Sequence, residues 1–157
     1  MSWEYCRTVE GVNFGNKFFE DCDIPKGAVG FVYEMIAVVD GKVVSYIGKK
    51  NFYSNRKKKF SKKFIAQMTD KRAKKYIIEK KLNYQNYYSS NAILKKAHKD
   101  GHDIQRRILK ICFSKAELTY QETKYQFKLG VLEKEEYLNG NILGRFYKQI
   151  KTTDNEH

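Results

Sequence analysis

The chain has 157 residues, 41% of them hydrophobic and 15% aromatic, and carries a formal net charge of +13 at pH 7. This apolar content excludes a disordered basic tail, and the length suits one domain with a real core. No run nears the roughly 20 apolar residues that cross a membrane, and Met1-Ser2-Trp3-Glu4-Tyr5 lacks the basic-then-apolar order of a signal peptide, so a cytoplasmic protein without a membrane partner is expected.

In chain order, Gly11, Gly15, Pro25 and Gly27 interrupt any period, and residues 1–29 are expected to form an irregular arm packed on the core. Phe31 to Val39 and Val43 to Ile47 flank Asp40-Gly41, the dipeptide that favours a two-residue primed turn, which predicts a hairpin with Val39 opposite Lys42. Counting outward, Tyr33 falls opposite Gly48, and Tyr46 is its diagonal neighbour on the same face, roughly 7–8 Å away. The bare Gly48 is expected to leave room there for a phosphate or another backbone.

After a loop at Asn51 to Asn55, Arg56 to about Lys81 is expected to form one or two basic helices, with Phe60, Phe64, Met68, Tyr76 and Ile77 inward. The aromatic loop from Asn83 to Tyr88 precedes a helix from Ala92 to Lys99, capped by serine and ended by Gly101. Ile104 to Phe113 is the third strand; Ser114 and Glu117 form a capping box that opens a helix running to Gly130. Tyr137 to Phe146 reads as a loop. The expected fold is a single α/β domain, residues 30–147, with a small three-stranded mixed or antiparallel sheet flanked by helices, followed by a polar tail at 148–157.

Between Lys49 and Lys81 stand fourteen Lys or Arg against Asp70 and Glu79, so a net +12 of the chain's +13 lies in that stretch. A localised basic stripe is the footprint of a polyanion partner, because neutralising phosphates releases counterions. Gly48, Lys49, Lys50, Lys57, Lys58, Lys59, Lys62 and Lys63 are the candidate nucleic-acid contacts. Cys6, Cys22 and Cys112 are odd in number and form no Cys-x-x-Cys pair, which supports neither a disulfide framework nor a zinc site.

Phosphodiester hydrolysis needs an activated water, positive charge on the phosphate oxygens and, in most enzymes, a metal held by carboxylate. Tyr33 is a candidate base, although a free phenol is protonated at pH 7; Lys49 or a cation would have to favour the phenolate. Arg56 has the planar fork that clamps a phosphate.

With Phe31-Val32-Tyr33, Tyr46-Ile47-Gly48 and an arginine ten residues after Tyr46, the chain resembles the GIY-YIG nucleases over about Gly30 to Phe146. Phe31 stands where that family has its first glycine, and Phe60 where some members place a histidine. Tyr87 to Leu109 looks like the middle of the phage-type homing-endonuclease catalytic domains. The resemblance implies a metal-binding glutamate on a later helix, Glu122 with Glu117 as competitor, and an asparagine after it, Asn139 or Asn141.

It further implies a metal-dependent DNA endonuclease using one Mg²⁺ or Mn²⁺. Tyr33 would activate water, Tyr46 orient it or the phosphate, Arg56 stabilise the pentacovalent charge, Glu122 hold the ion near the leaving oxygen, and Asn139 lend support. No separate site-reading domain is evident, so specificity would be low or supplied by a partner protein. The alternative is a basic nucleic-acid-binding protein without catalysis.

Overall fold

Asp40 and Gly41 both take positive φ, 52° and 75°, and between them turn the chain in two residues, as the primed turn requires. The strands on either side, β3 (Gly30–Val39) and β4 (Lys42–Asn51), pair antiparallel from Val39↔Lys42 outward through Met35↔Tyr46 and Tyr33↔Gly48 to Gly30↔Asn51. The expected register is therefore the observed one. The computed structural model describes residues 2–9, 12–67 and 75–149.

The main sheet has five strands where the sequence suggested three. The third expected strand is β7 (Ile104–Cys112), antiparallel to β3. The segment expected to be an irregular arm supplies the other two, β1 (Trp3–Val9) and β2 (Val12–Phe19), in the order β2-β1-β7-β3-β4. β1 runs parallel to β7, so the sheet is mixed. The glycine that masked the period has a physical reason: Cys6 pairs with Asn16 and Thr8 with Asn13, so Phe14 and Gly15 together oppose Arg7 in a bulge.

A second correction concerns the basic stretch. Tyr53–Lys59 is a strand, β5, paired antiparallel with β6 (Lys75–Leu82) in a separate two-stranded ribbon; among the described residues of the stretch, helix is confined to α1 (Lys62–Gln67). Arg56 thus lies on a strand opposite Glu79, not at a helix start. A helix through this stretch would set Lys58 over Lys62 and Lys59 over Lys63, like charges at i,i+4, whereas a strand sends successive ammoniums to opposite faces. Phe64 is exposed and stacks on Phe60, 4.9 Å between ring centres. Met68 and the side chains of Tyr76 and Ile77 lie outside the described residues.

Each face of the main sheet carries its own core. Trp3, Phe31, Tyr33, Met35, Phe52, Tyr84 and Ile108 fill one side, under α2 (Ala92–Lys99). Val32, Ile47, Cys112, Leu118 and Val131 fill the other, under α3 (Lys115–Lys128). α2 is capped by Asn91, whose side chain accepts from the Ile93 and Leu94 N–H groups, rather than by serine; Ser114 caps α3 as expected. The segment expected to be a loop after α3 contains the short pair β8 (Asn141–Ile142) and β9 (Phe146–Tyr147). Among the described residues no helix is long and apolar enough to cross a membrane.

The N-terminal strand is integral to the core. Trp3 is 2% exposed, meets Phe31 and Tyr33 edge-on at 4.9 and 5.7 Å, and donates its indole N–H to the Tyr84 carbonyl at 3.0 Å. Trp3→Ala is expected to cost about 3–5 kcal/mol in urea unfolding; an unchanged midpoint would show that β1 is only draped on the domain.

Candidate active site

β4 is the outer strand of the main sheet, so alternate backbone groups on its free side need partners from elsewhere. They come from the chain after α3. The Ser45 N–H donates to the Glu136 carbonyl at 2.7 Å, and the Ser45 carbonyl accepts from Leu138 N–H at 2.7 Å. One step along, Asn139 Oδ1 accepts from the Ile47 N–H at 3.0 Å while its Nδ2 donates to the Ile47 carbonyl at 2.8 Å. Gln126 Nε2 donates to that same carbonyl at 3.1 Å. Both ends of the Asn139 amide are occupied by backbone, which makes this buried residue a clamp on β4 rather than a ligand.

The clamp closes a cleft of about 310 Å³ lined by Tyr46 and Lys49 of β4, Glu122 and Gln126 of α3, and Asn139 to Asn141 with Leu143. Leu118, Glu122 and Gln126 follow one another at four-residue spacing, and the first and last are buried. Glu122 therefore occupies the sheet-facing stripe of α3, a place where a helix ordinarily puts an apolar side chain. Burial raises its carboxyl pKa; the Lys49 charge and a hydrogen bond from the Lys49 backbone N–H oppose that shift without cancelling it. Lys49 Nζ reaches Thr119 Oγ1 at 2.8 Å, one turn before Glu122.

The two tyrosines share a face, with ring centres 6.3 Å apart. Their environments differ. Tyr46 is half-buried and lines the cleft, and desolvation raises its pKa against a hydrogen bond from Ser90. Tyr33 is 1% exposed, and its hydroxyl lies 3.3 Å from that of Tyr87 and 3.4 Å from Ser89 Oγ. Burial pushes the Tyr33 phenol far above the ordinary range. Lys49, expected to favour a Tyr33 phenolate, alternates to the opposite face of β4 and does not offset this. Gly48 is also not an opening for phosphate: a Cβ there would stand 2.5 Å from the Tyr33 hydroxyl oxygen and 3.0 Å from the Tyr46 ring, so the Tyr33 phenol itself fills the space the glycine leaves.

The hydroxyls around Tyr33 depend on a residue that sequence reasoning passed over. Arg106 of β7 is 2% exposed and donates to the Gln85 and Tyr87 carbonyls at 2.7 and 3.0 Å. Its guanidinium lies over the Trp3 and Tyr88 rings at 4.8 and 4.2 Å, and the loop from Gln85 to Ser90 is thereby tied to the sheet. Arg106-Arg107 in the sequence reads as two surface charges; only strand alternation separates the buried one from its neighbour.

Most of the other expected site residues lie elsewhere. Arg56, Lys57, Lys58, Lys59, Lys62 and Lys63 are exposed on β5 and α1 and do not line this cleft. Glu117, the competitor to Glu122, sits in the first turn of α3 near Cys112, whose thiol is pushed up to about 11 mainly by burial. Asn141 lines the cleft but accepts from the Gly144 N–H at 2.9 Å.

Among the described residues there is no group of three or more His, Cys, Asp or Glu able to enclose a metal. A single desolvated carboxylate in an open polar cleft nevertheless fits Mg²⁺, which keeps several waters and takes its remaining contacts from substrate phosphate.

Comparison with family models gives a match over residues 13–142 to the one described as "Putative endonuclease segE, GIY-YIG domain". The matched region begins inside β2, ahead of the Gly30 start suggested by the motifs. No curated protein and no solved structure gives a match.

A carboxyl whose pKa is raised on folding holds its proton more tightly in the native state, so stability falls as pH rises between the unfolded and folded values. Glu122→Gln keeps the acceptor for the Lys49 N–H and removes the buried charge. It is expected to melt above wild type at pH 7–8, with the gap closing as the pH falls below the ordinary carboxylate range. A lower melting point at neutral pH would show that attraction to Lys49 outweighs desolvation.

Proposed function

The chain belongs to the GIY-YIG nuclease family, and from that footing we propose that it is a metal-dependent endonuclease hydrolysing DNA phosphodiester bonds at the Tyr46–Glu122 cleft. The observation that carries this reading is that β4 and α3 bring a phenol, an ammonium and a partly desolvated carboxylate into one concave site. In this reading Glu122 holds one divalent ion, Mg²⁺ or Mn²⁺. Bound there, the ion would supply positive charge to the phosphate and to the departing oxygen.

Water attacks phosphorus, the bond to the bridging oxygen breaks, and one proton leaves the water while the leaving oxygen gains one. Tyr46 is the phenol placed to orient the attacking water, because it lines the cleft and Tyr33 does not. Tyr33, kept neutral by burial and lying beside Tyr46 rather than in the cleft, serves as a relay. As Tyr46 passes it the water's proton, Tyr33, held also by Ser89 Oγ, gives its own to Tyr87. Tyr87 releases its proton to solvent in the open groove it lines, and solvent returns one to the leaving oxygen. Lys49 stands at the cleft as the nearest cation for the phosphate oxygens. Arg56, Lys58, Lys59, Lys62 and Lys63, exposed on β5 and α1, hold phosphates farther along the DNA, where their exposure suits screened, sequence-independent contact. Asn139 positions β4, and through it Tyr46 and Lys49, without touching substrate. Targeting to a site then rests with the DNA structure or a partner protein.

Nicking of supercoiled plasmid tests the reading. Activity is expected with Mg²⁺ or Mn²⁺ and not with EDTA. Glu122→Ala is expected to lower the rate by about 10²-fold or more, and Tyr46→Phe by about 10²–10⁴-fold, each with plasmid binding retained. Plasmid binding with no nicking in either metal would instead favour a basic nucleic-acid-binding protein without catalysis.

A further inference from the structure

Beyond the cleavage cleft, the space between the β5–β6 ribbon and the body of the domain is lined by five lysines: Lys26, Lys50, Lys57, Lys80 and Lys115. They come from the loop before β3 and from β4, β5, β6 and the first turn of α3. Among the described residues lining this space, about 720 Å³, there is no Asp or Glu. The described ion pairs, Lys17–Asp23 and Arg107–Glu34, involve none of the five. An ordinary solvated surface intersperses charges of both signs. Here five cations from five separate segments converge on a concavity, so an anion that enters relieves their mutual repulsion. Burial already lowers the pKa of Lys50.

The concavity continues into a second of about 870 Å³ that shares Lys50, Tyr53, Lys80 and Asn83 and adds Tyr87. Two tyrosine rings stand on its walls, each beneath an ammonium: Lys80 Nζ lies 4.4 Å from the Tyr53 ring centre and Lys50 Nζ 4.9 Å from that of Tyr87. A cationic groove with aromatic rings is the arrangement that takes single-stranded nucleic acid, phosphates on the lysines and bases on the rings. A duplex is convex, with its bases paired and stacked inside, and offers no ring to Tyr53. The groove also leads to the chemistry, since the Tyr87 hydroxyl lies 3.3 Å from that of Tyr33, whose ring adjoins Tyr46.

We propose that this groove holds a single strand of DNA next to the cleavage cleft, so that the preferred substrate joins a duplex to a single-stranded segment. The proposal rests on the nuclease reading for its biological sense but is tested by binding alone. Affinities are measured in EDTA by fluorescence anisotropy for a duplex of about 20 base pairs, blunt or carrying an overhang of about 12 nucleotides, within the span such a groove covers.

Wild type is expected to bind the overhang substrate about tenfold more tightly, through a few added phosphate and stacking contacts. Lys80→Glu with Lys115→Glu is expected to abolish that increment while changing blunt-duplex affinity less than threefold. The milder Lys80→Ala, at an exposed position, is expected to remove part of it. Equal affinity of wild type for the two substrates would overturn the proposal, as would an equal loss on both in the double variant, which would mark a general duplex-backbone surface. Overhang preference without any nicking in Mg²⁺ or Mn²⁺ leaves the groove standing and defeats the nuclease reading; nicking without overhang preference does the reverse.

Discussion

The candidate active site depends on how the open side of β4 is closed. An outer strand leaves backbone N–H and C=O groups unpaired on one side, and burying them unpaired would cost more than their hydrogen bonds contribute. Here the Asn139 amide takes both groups of Ile47, as a neighbouring strand would, and Glu136 and Leu138 do the same for Ser45. The satisfaction is local and directional, so it fixes Tyr46, between these two residues, to within hydrogen-bond geometry. It also draws the chain after α3 against the strand and so forms one wall of the cleft. The same few contacts that finish the sheet thus build the site.

The polar groups in and around the candidate site sit where the folding rules are strained. Glu122 takes a core-facing position of α3 and stays half-buried, with its pKa raised. Tyr33 spends an otherwise ideal core aromatic on a hydroxyl cluster with Tyr87 and Ser89. Arg106 buries a guanidinium whose desolvation is offset by two carbonyl acceptors and two aromatic faces. Each arrangement is costly to folding taken singly; Glu122 stands in the cleft on the α3 side, while Tyr33 and Arg106 are tied to the loop before α2. Polar groups so held are pre-organised, which is what charge stabilisation in a transition state requires.

Positive charge is divided between two settings. On the outer residues of β5 and α1 the lysines are exposed and act as screened point charges, suited to tracking a phosphate backbone. Between ribbon and body they converge with two tyrosine rings and, among the described lining residues, no acid. The sequence presents both as one basic run, yet Lys26 and Lys115, far outside that run, complete the second setting.

Local and alternating signals were legible from residues alone. Asp40-Gly41 specified the turn, period-two alternation then fixed Tyr33 opposite Gly48 and beside Tyr46, and Ser114 marked the start of α3. Those features are set within a few residues by backbone sterics and capping. What the chain could not reveal depends on partners distant in sequence: β1 joins β7 about a hundred residues away, the lysine run becomes a strand because β6 pairs with it, and Glu122 rather than Glu117 faces β4. Burial was decided in the same way, turning Gly48 from an opening into the seat of the Tyr33 phenol and giving Asn139 the place of a backbone clamp on β4. Sequence determined which side chains share a face, because that follows from periodicity; tertiary structure decided which of them meet water, because desolvation is a property of everything packed around them.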